Sequence, residues 1–399
     1  MSRFLFVVPP FTGHINPAVG VAKKLESLGH STAWAGEEGI IRRLAGSEAH
    51  VYPCPSPSSR EGAVRRPPHL RGFAALQFLW KEGLVPLAEQ MAPGVDRAIA
   101  RFRPDVVVAD QQAFAGALTA DRLSLPWVTL ATTFSELSDS LAATPLVIKW
   151  IESLLGALRA RIGRADSCID PRFSPYLVLA CTARELSGPP TAGSGEVVFV
   201  GASLDGRPVA PAFPWEALDP SRAKVLVTLG TMNEDTGERF LTACCEALEA
   251  RAADVQGVII APGWDRPSPE FGTYPPMLVV DSAPQVSLLA RASAVICHAG
   301  HNTVCEALWH GVPLVTAPIR DDQPVVSARL VETGAGVRLR FNRASAEQIG
   351  RALDAVLSDP AYARNARRLG GALRAAGGAA AAADRLAALA VAASSGSDP

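Results

Sequence analysis

Apolar positions fall along this chain in two alternating rhythms. Phe4–Val8 is an unbroken apolar run, suited to a strand covered on both faces, as in a parallel sheet. Pro9-Pro10 stops it, and Phe11–Asn16 reads as a glycine-containing loop. Pro17 fits a first helical turn, where a missing N–H costs nothing. Ala18, Val21, Ala22, Leu25 and Leu28 then recur at helical spacing, Gly29 is placed to end the helix, and Ser31–Ala35 is extended again. This is a βαβ unit. Further short strands are expected at Val106–Ala109, Trp127–Leu130, Tyr176–Ala180 and Val197–Val200. Over residues 201–222 Gly, Pro, Asp and Ser dominate and the rhythm lapses, as in a linker. It then resumes. Strands Lys224–Leu229, Val258–Ala261, Met277–Val280, Ala294–Cys297 and Pro313–Ala317 alternate with helices Glu238–Arg251, Val286–Ala292 and Thr303–His310.

This alternation predicts an α/β protein of two Rossmann-like, doubly wound domains facing across a cleft. Residues 1–200 form the first, 201–222 the connection, and 223–399 the second with an Ala-rich tail that frays after Ser394. Residues 60–94 fit no βαβ unit; a pocket wall and a helical cover on the sheet are equally compatible with them.

Composition narrows the classes. A length of 399 residues exceeds what one core usually holds, and 48% hydrophobic with 19% charged residues is globular rather than disordered. Lys+Arg 38 against Asp+Glu 39 leaves a net charge of −1, no footprint for nucleic acid or an anionic membrane. Apolar runs such as Leu386–Ala393 fall short of the roughly 18 residues that span a bilayer, and Phe4–Val8 is too short for a secretory signal. Cys54, Cys168, Cys181, Cys244, Cys245, Cys297 and Cys305 contain no CxxC, which argues against a disulfide framework or zinc site and for a reduced, cytoplasmic chain.

The densest chemistry lies in Ser282-Ala-Pro-Gln285, Cys297-His-Ala-Gly-His-Asn-Thr-Val-Cys-Glu306 and Arg320-Asp-Asp-Gln323. His298–Thr303 follows a buried strand and opens a helix, so free N–H groups and the positive end of the helix dipole face whatever binds there. Gly300 permits close backbone approach, while His298, Asn302 and Thr303 add side-chain donors. That is a diphosphate cradle with no requirement for a metal, and the chain has no Asp-x-Asp. Thr303-Val-Cys-Glu306 also matches a capping box, in which Glu306 would cap its own helix.

The spacing of these residues resembles the C-terminal signature of the GT-B nucleotide-sugar-dependent glycosyltransferases, the UDP-glycosyltransferase family in its bacterial natural-product form. The resemblance implies that His298, Asn302 and Thr303 hold the donor diphosphate, Glu306 the ribose, and Asp322 and Gln323 the sugar hydroxyls. It extends the donor set to Gly230, Thr231, Ser282, Gln285, Val286, Gly300 and His301. Ser282 stands where many relatives place a base-stacking Trp, and Pro324 follows Gln323 where many place an Asn.

In the first half, Gly13-His14-Ile15-Asn16-Pro17 resembles the segment that carries the family's catalytic histidine. A neutral imidazole is available near pH 7 as a general base. The same resemblance makes Asp110 its partner. Phe73, Phe78, Trp80, Phe134 and Leu141 are candidates to line an apolar acceptor pocket, with packing of the domain the equal alternative.

The implied activity is inverting transfer of a hexose or deoxyhexose from a UDP- or dTDP-sugar to a hydroxyl of a small lipophilic acceptor (polyketide, terpenoid or phenolic). It needs no cofactor or metal, no nucleic acid and no stable membrane insertion, and it admits a homodimer. A nucleotide-sugar epimerase and a non-catalytic glycosyltransferase-like partner protein are the competing readings.

Overall fold

The computed structural model describes the chain apart from residues 56–66, 68–69, 71, 139–140, 142–143, 191–194, 207–210, 231–236, 265–273 and 397–399. It divides into two compact units, Met1–Pro208 with Ala375–Pro399, and Val209–Arg374.

The first unit is built on a sheet of β1 (Arg3–Val7), β2 (Ser31–Gly36), β3 (Val51–Pro53), β4 (Val106–Asp110), β5 (Trp127–Ala131), β6 (Leu177–Ala180) and β7 (Glu196–Phe199). Its spatial order is β3-β2-β1-β4-β5-β6-β7, and the strands pair in parallel. The helices are α1 (Thr12–Ser27), α2 (Glu38–Ala45), α3 (Gly72–Phe78), α4 (Val85–Phe102), α5 (Phe114–Arg122), α6 (Pro145–Ile162) and α7 (Arg184–Ser187), with a π-helical turn at Leu79–Leu84. The unbroken apolar run of β1 has a direct cause. Phe4 and Phe6 pack in a core with α1, while Leu5 and Val7 pack in another with α4 and α5. Side chains alternate sides along a strand, so covering both faces demands apolar residues at every position.

The second unit holds β8 (Ala223–Thr228), β9 (Val255–Ile260), β10 (Met277–Val280), β11 (Ala294–Cys297), β12 (Leu314–Thr316) and β13 (Gly336–Arg338) in the order β10-β9-β8-β11-β12-β13, again parallel. Its helices are α8 (Glu238–Glu249), α9 (Gln285–Leu289), α10 (His301–Trp309), α11 (Gln323–Glu332), α12 (Ala346–Ser358) and α13 (Pro360–Ala375).

Three differences from the sequence reading stand out. Helix α1 starts at Thr12, with Pro17 inside it rather than in its first turn, so one backbone bond is forgone and His14 is helical. Strands β3 and β13, three residues each, were not expected. Of residues 60–94, the described part from Gly72 onward is helical, and α4 covers a sheet face, one of the two alternatives the sequence left open. The third difference is the tail. It forms α14 (Gly378–Ser394) and joins the first unit, where Ala379, Ala382, Ala383, Leu386, Leu389 and Ala390 enter the core shared with α1. Its start is fixed by the Gly378 N–H donating to the Val200 carbonyl at 2.6 Å.

By length and a mean hydropathy of 1.3, Pro360–Ser394 could cross a bilayer. It is instead two helices meeting at Gly377-Gly378, both at positive φ, and the second buries one face in protein. The connection is also shorter than the composition suggests. Lys23 on α1 donates to the Gly206 carbonyl at 2.6 Å, while Gln256 of the second unit clasps Asp219 N–H and the Ala217 carbonyl, each at 2.8 Å.

Candidate functional site

Chain order reverses at one place in each sheet, between β1 and β4 and between β8 and β11. In an open parallel sheet the loops leaving the strand ends there diverge to opposite faces and open a crevice. Both clusters singled out in the sequence occupy such a point. His14 follows β1 and Asp110 ends β4; Gly230 follows β8 and His298 follows β11.

In the first unit the His14 ring sits in the opening turn of α1, its side chain 17% exposed, against an Asp110 carboxylate that is fully buried. Nδ1 lies 3.0 and 2.9 Å from the two carboxylate oxygens. The Gln112 N–H donates to Oδ1 at 2.8 Å and the Thr132 hydroxyl to Oδ2 at 2.9 Å. Thr132 Oγ1 is also 2.8 Å from Nδ1. An ionised carboxylate only accepts, so Nδ1 carries the proton and Nε2 keeps the lone pair. Such an imidazole can take a proton at Nε2 while Asp110 stabilises the charge formed. Thr132 was missed in the sequence because a single Thr makes no pattern. Its place, one residue beyond the end of β5 and beside β4, is the signal that points to it.

The apolar candidates divide. Trp80 and Phe134 are buried, Trp80 stacked on Phe114 with centroids 5.5 Å apart. Phe73 is 47% exposed and meets Trp150 edge-on at 5.4 Å; Phe78 and Leu141 are half-buried.

In the second unit, the turn from β11 to α10 places Ala299 at φ 66°, a conformation few side chains adopt, and Gly300 at the N-cap. The His298 ring is wedged between glycine backbones. A Cβ on Gly300 would fall on its Nε2, and one on Gly230 (φ 70°) would lie 2.7 Å from its Cε1. Close approach by the imidazole, rather than by a ligand alone, is what these two glycines permit. His298 Nδ1 is buried without a partner, and Asn302 and Thr303 begin α10 beside it. Thr231 lies outside the described residues.

Glu306 does not cap its own helix. It sits in the middle of α10, buried, and accepts from Gln285 Nε2 at 2.6 Å, tying α9 to α10. Ser282 is exposed and Val286 half-buried at the entrance to α9. His301 turns inward, its Nε2 3.5 Å from Cys305 Sγ. Gln323 is buried, and its Oε1 accepts from the N–H groups of Ile319 (2.8 Å) and Arg320 (3.1 Å), which leaves only its NH2 for a ligand. Asp321, at φ 56°, and Asp322, at the N-cap of α11, complete that turn. Burial pushes the Cys297 thiol up to about 12, so no thiolate competes with the histidines here.

Burial also lowers the His298 pKa to about 4, with Arg320 adding to the shift. The sign follows from linkage: the unfolded chain takes up the proton below about 6.5, while the folded chain refuses it until about 4. Stability is therefore full above about pH 6.5 and falls as the pH drops toward 4, by about 2 kcal/mol at pH 5. Urea unfolding of wild type and His298→Asn at pH 8 and pH 5 checks this, and an equal loss in both proteins would contradict it.

Residues 199–373 match the family model described as UDP-glucoronosyl and UDP-glucosyl transferase. The demethyllactenocin mycarosyltransferase of Streptomyces fradiae is 28% identical over 400 residues, covering 96% of this chain and 86% of that protein. Among solved structures, the kitacinnamycin glycotransferase superposes with a TM-score of 0.78 at 23% identity, covering 96% of this chain and 98% of the other. The spinosyn rhamnosyltransferase complexed with thymidine diphosphate gives 0.74 at 22% identity, with 96% and 100% covered. With its two parallel α/β units the chain has the GT-B fold, and its residues 199–373 belong to the UDP-glucoronosyl and UDP-glucosyl transferase domain family.

Proposed function

We propose that this chain transfers a hexose or deoxyhexose from a nucleoside-diphosphate sugar to a hydroxyl of a small lipophilic natural product, inverting the anomeric centre, with His14 as general base. The observation that carries the reading is the His14–Asp110–Thr132 cluster, which commits Nδ1 and leaves Nε2 as the basic atom. Nε2 removes the acceptor hydroxyl proton as that oxygen forms its bond to the anomeric carbon. The bond from that carbon to the diphosphate oxygen breaks, and the leaving group carries the electron pair away. Attack from the side opposite the leaving group inverts configuration. A covalent sugar–enzyme intermediate is not required.

The diphosphate is held by the N-terminal end of α10, with Asn302, Thr303 and the His298 ring beside it. These groups can stabilise the departing charge in the place of a metal ion, and we propose that none is needed. Glu306, oriented by Gln285, accepts from the ribose hydroxyls. Asp322 accepts from sugar hydroxyls, and Gln323 donates to one through its NH2. Both UDP and dTDP donors fit these contacts, and the thymidine diphosphate of the spinosyn enzyme's complex favours testing dTDP-sugars first. Residues 73, 78 and 141 are the apolar candidates left to face an acceptor, acting in the cytoplasm.

The test is incubation of the purified chain with dTDP-glucose or UDP-glucose, EDTA and a panel of phenolic and polyketide alcohols. Mass spectrometry is expected to find a hexose added to at least one acceptor. Epimerised nucleotide sugar without any transfer, or failure to bind either nucleotide, would sink the reading.

A further inference from the structure

We infer that Thr132 is a positioning residue for His14, fixing both the tautomer and the plane of the imidazole through a hydroxyl that donates to Asp110 and accepts from Nδ1–H. The inference rests on the reading of His14 as the base. Thr132 lies just past the end of β5, 3% exposed, and touches both members of the pair at 2.8 and 2.9 Å.

The geometry leaves one consistent proton arrangement. A hydroxyl has a single proton to give. If Thr132 gave it to Nδ1, the ring would carry its own proton on Nε2 and present the Nδ1 lone pair to a carboxylate about as close as a hydrogen bond allows, 2.9 Å away. Two lone pairs at that distance repel. If Thr132 gives its proton to Asp110 Oδ2, its oxygen is free to accept Nδ1–H together with the carboxylate, and every contact is attractive. The second arrangement places the unprotonated nitrogen at Nε2.

The hydroxyl also does what Asp110 alone does not. Nδ1 stands nearly equidistant from the two carboxylate oxygens, 3.0 and 2.9 Å, so the carboxylate alone lets the ring rock between them. The Gln112 N–H holds Oδ1, and Thr132 holds Oδ2. With both oxygens pinned and a third acceptor beside Nδ1, the edge of the ring is fixed at three points. Small misplacements of a reacting group cost on the order of 10- to 100-fold in rate.

The experiment compares Thr132→Val, Thr132→Ser and wild type. Thr132→Val keeps the shape and removes the hydroxyl; Thr132→Ser restores it. Kinetics of transfer are read together with nitrogen NMR of 15N-histidine-labelled protein, which reports the His14 tautomer without any turnover. The expected result is a kcat roughly 10-fold lower in Thr132→Val with both KM values unchanged, a His14 signal no longer confined to the Nδ1–H form, and near wild-type values for both in Thr132→Ser. Unchanged kcat and tautomer in Thr132→Val would overturn the inference, as would a loss that Thr132→Ser does not restore. A rise confined to the donor KM would overturn it too, since the hydroxyl would then serve the sugar. If wild type transfers no sugar, the reading of His14 as a base fails while the tautomer signal still decides the role of Thr132.

Discussion

His14→Ala is expected to lower kcat for sugar transfer by about 10²- to 10⁴-fold, the usual contribution of a positioned general base. Nucleotide affinity should be unaffected, because the groups assigned to the diphosphate and ribose are the start of α10 and Glu306 rather than His14. Fold stability should fall by about 1–3 kcal/mol, since the buried Asp110 carboxylate loses its Nδ1–H partner and keeps the Gln112 N–H and the Thr132 hydroxyl. The check is single-turnover kinetics beside calorimetric titration with UDP and dTDP. A variant that transfers at the wild-type rate would remove His14 from the reaction and leave Asp110 a buried carboxylate without a chemical task. Asp110→Asn offers a second reading of the same pair. The amide can donate to Nδ1, which moves the ring proton to Nε2 and takes away the basic atom.

The other large effect is expected in the second unit, from Gly300→Ala. The added methyl would fall on His298 Nε2 and lie 2.8 Å from its Cε1, so the ring must leave its present place or the turn must open. Either response moves the start of α10. We expect UDP and dTDP to bind roughly 10- to 100-fold more weakly, the loss that follows from one or two charge-assisted contacts. Gly230→Ala meets the same ring from the other side at 2.7 Å, and at φ 70° it carries a backbone penalty as well. Titration of both variants with nucleotide decides the matter. Wild-type affinity in Gly300→Ala would mean that the His298 ring is not part of the donor site.

The fold was legible wherever a strand is covered on both faces. Phe4–Val8 and Ala294–Cys297 are apolar throughout because helices cover both sides of the sheets, and their limits lie within a residue of those expected. Strands β3 and β13 were not legible: three residues each, ending a sheet at its edge, carry too little pattern to register. The start of α1 was misplaced because Gly13 and Pro17 both speak against a helix locally, and packing of Ile15, Ala18 and Val19 into the core outweighs them. The donor-binding candidates were legible as a motif, yet their mutual arrangement was not. Nothing in the spacing of Glu306 shows that it answers Gln285 rather than its own helix end. Trp80 and Phe134 mark another limit, since an aromatic side chain suits a pocket wall and a core equally well, and their burial becomes visible only in the folded unit.

Helix α14 sets an order on synthesis. The core that α1 shares with β1 and β4 is closed by Leu386 and Leu389, which leave the ribosome only after all of Val209–Arg374 has been made. At about 5–20 residues per second, that interval is roughly 10 to 40 s. Throughout it the nascent first unit presents an apolar groove on α1 with no covering helix, while the second unit, whose strands and helices are contiguous in the chain, can fold at once. The half made first is the half finished last, and its exposed groove is the surface on which a chaperone would act during translation.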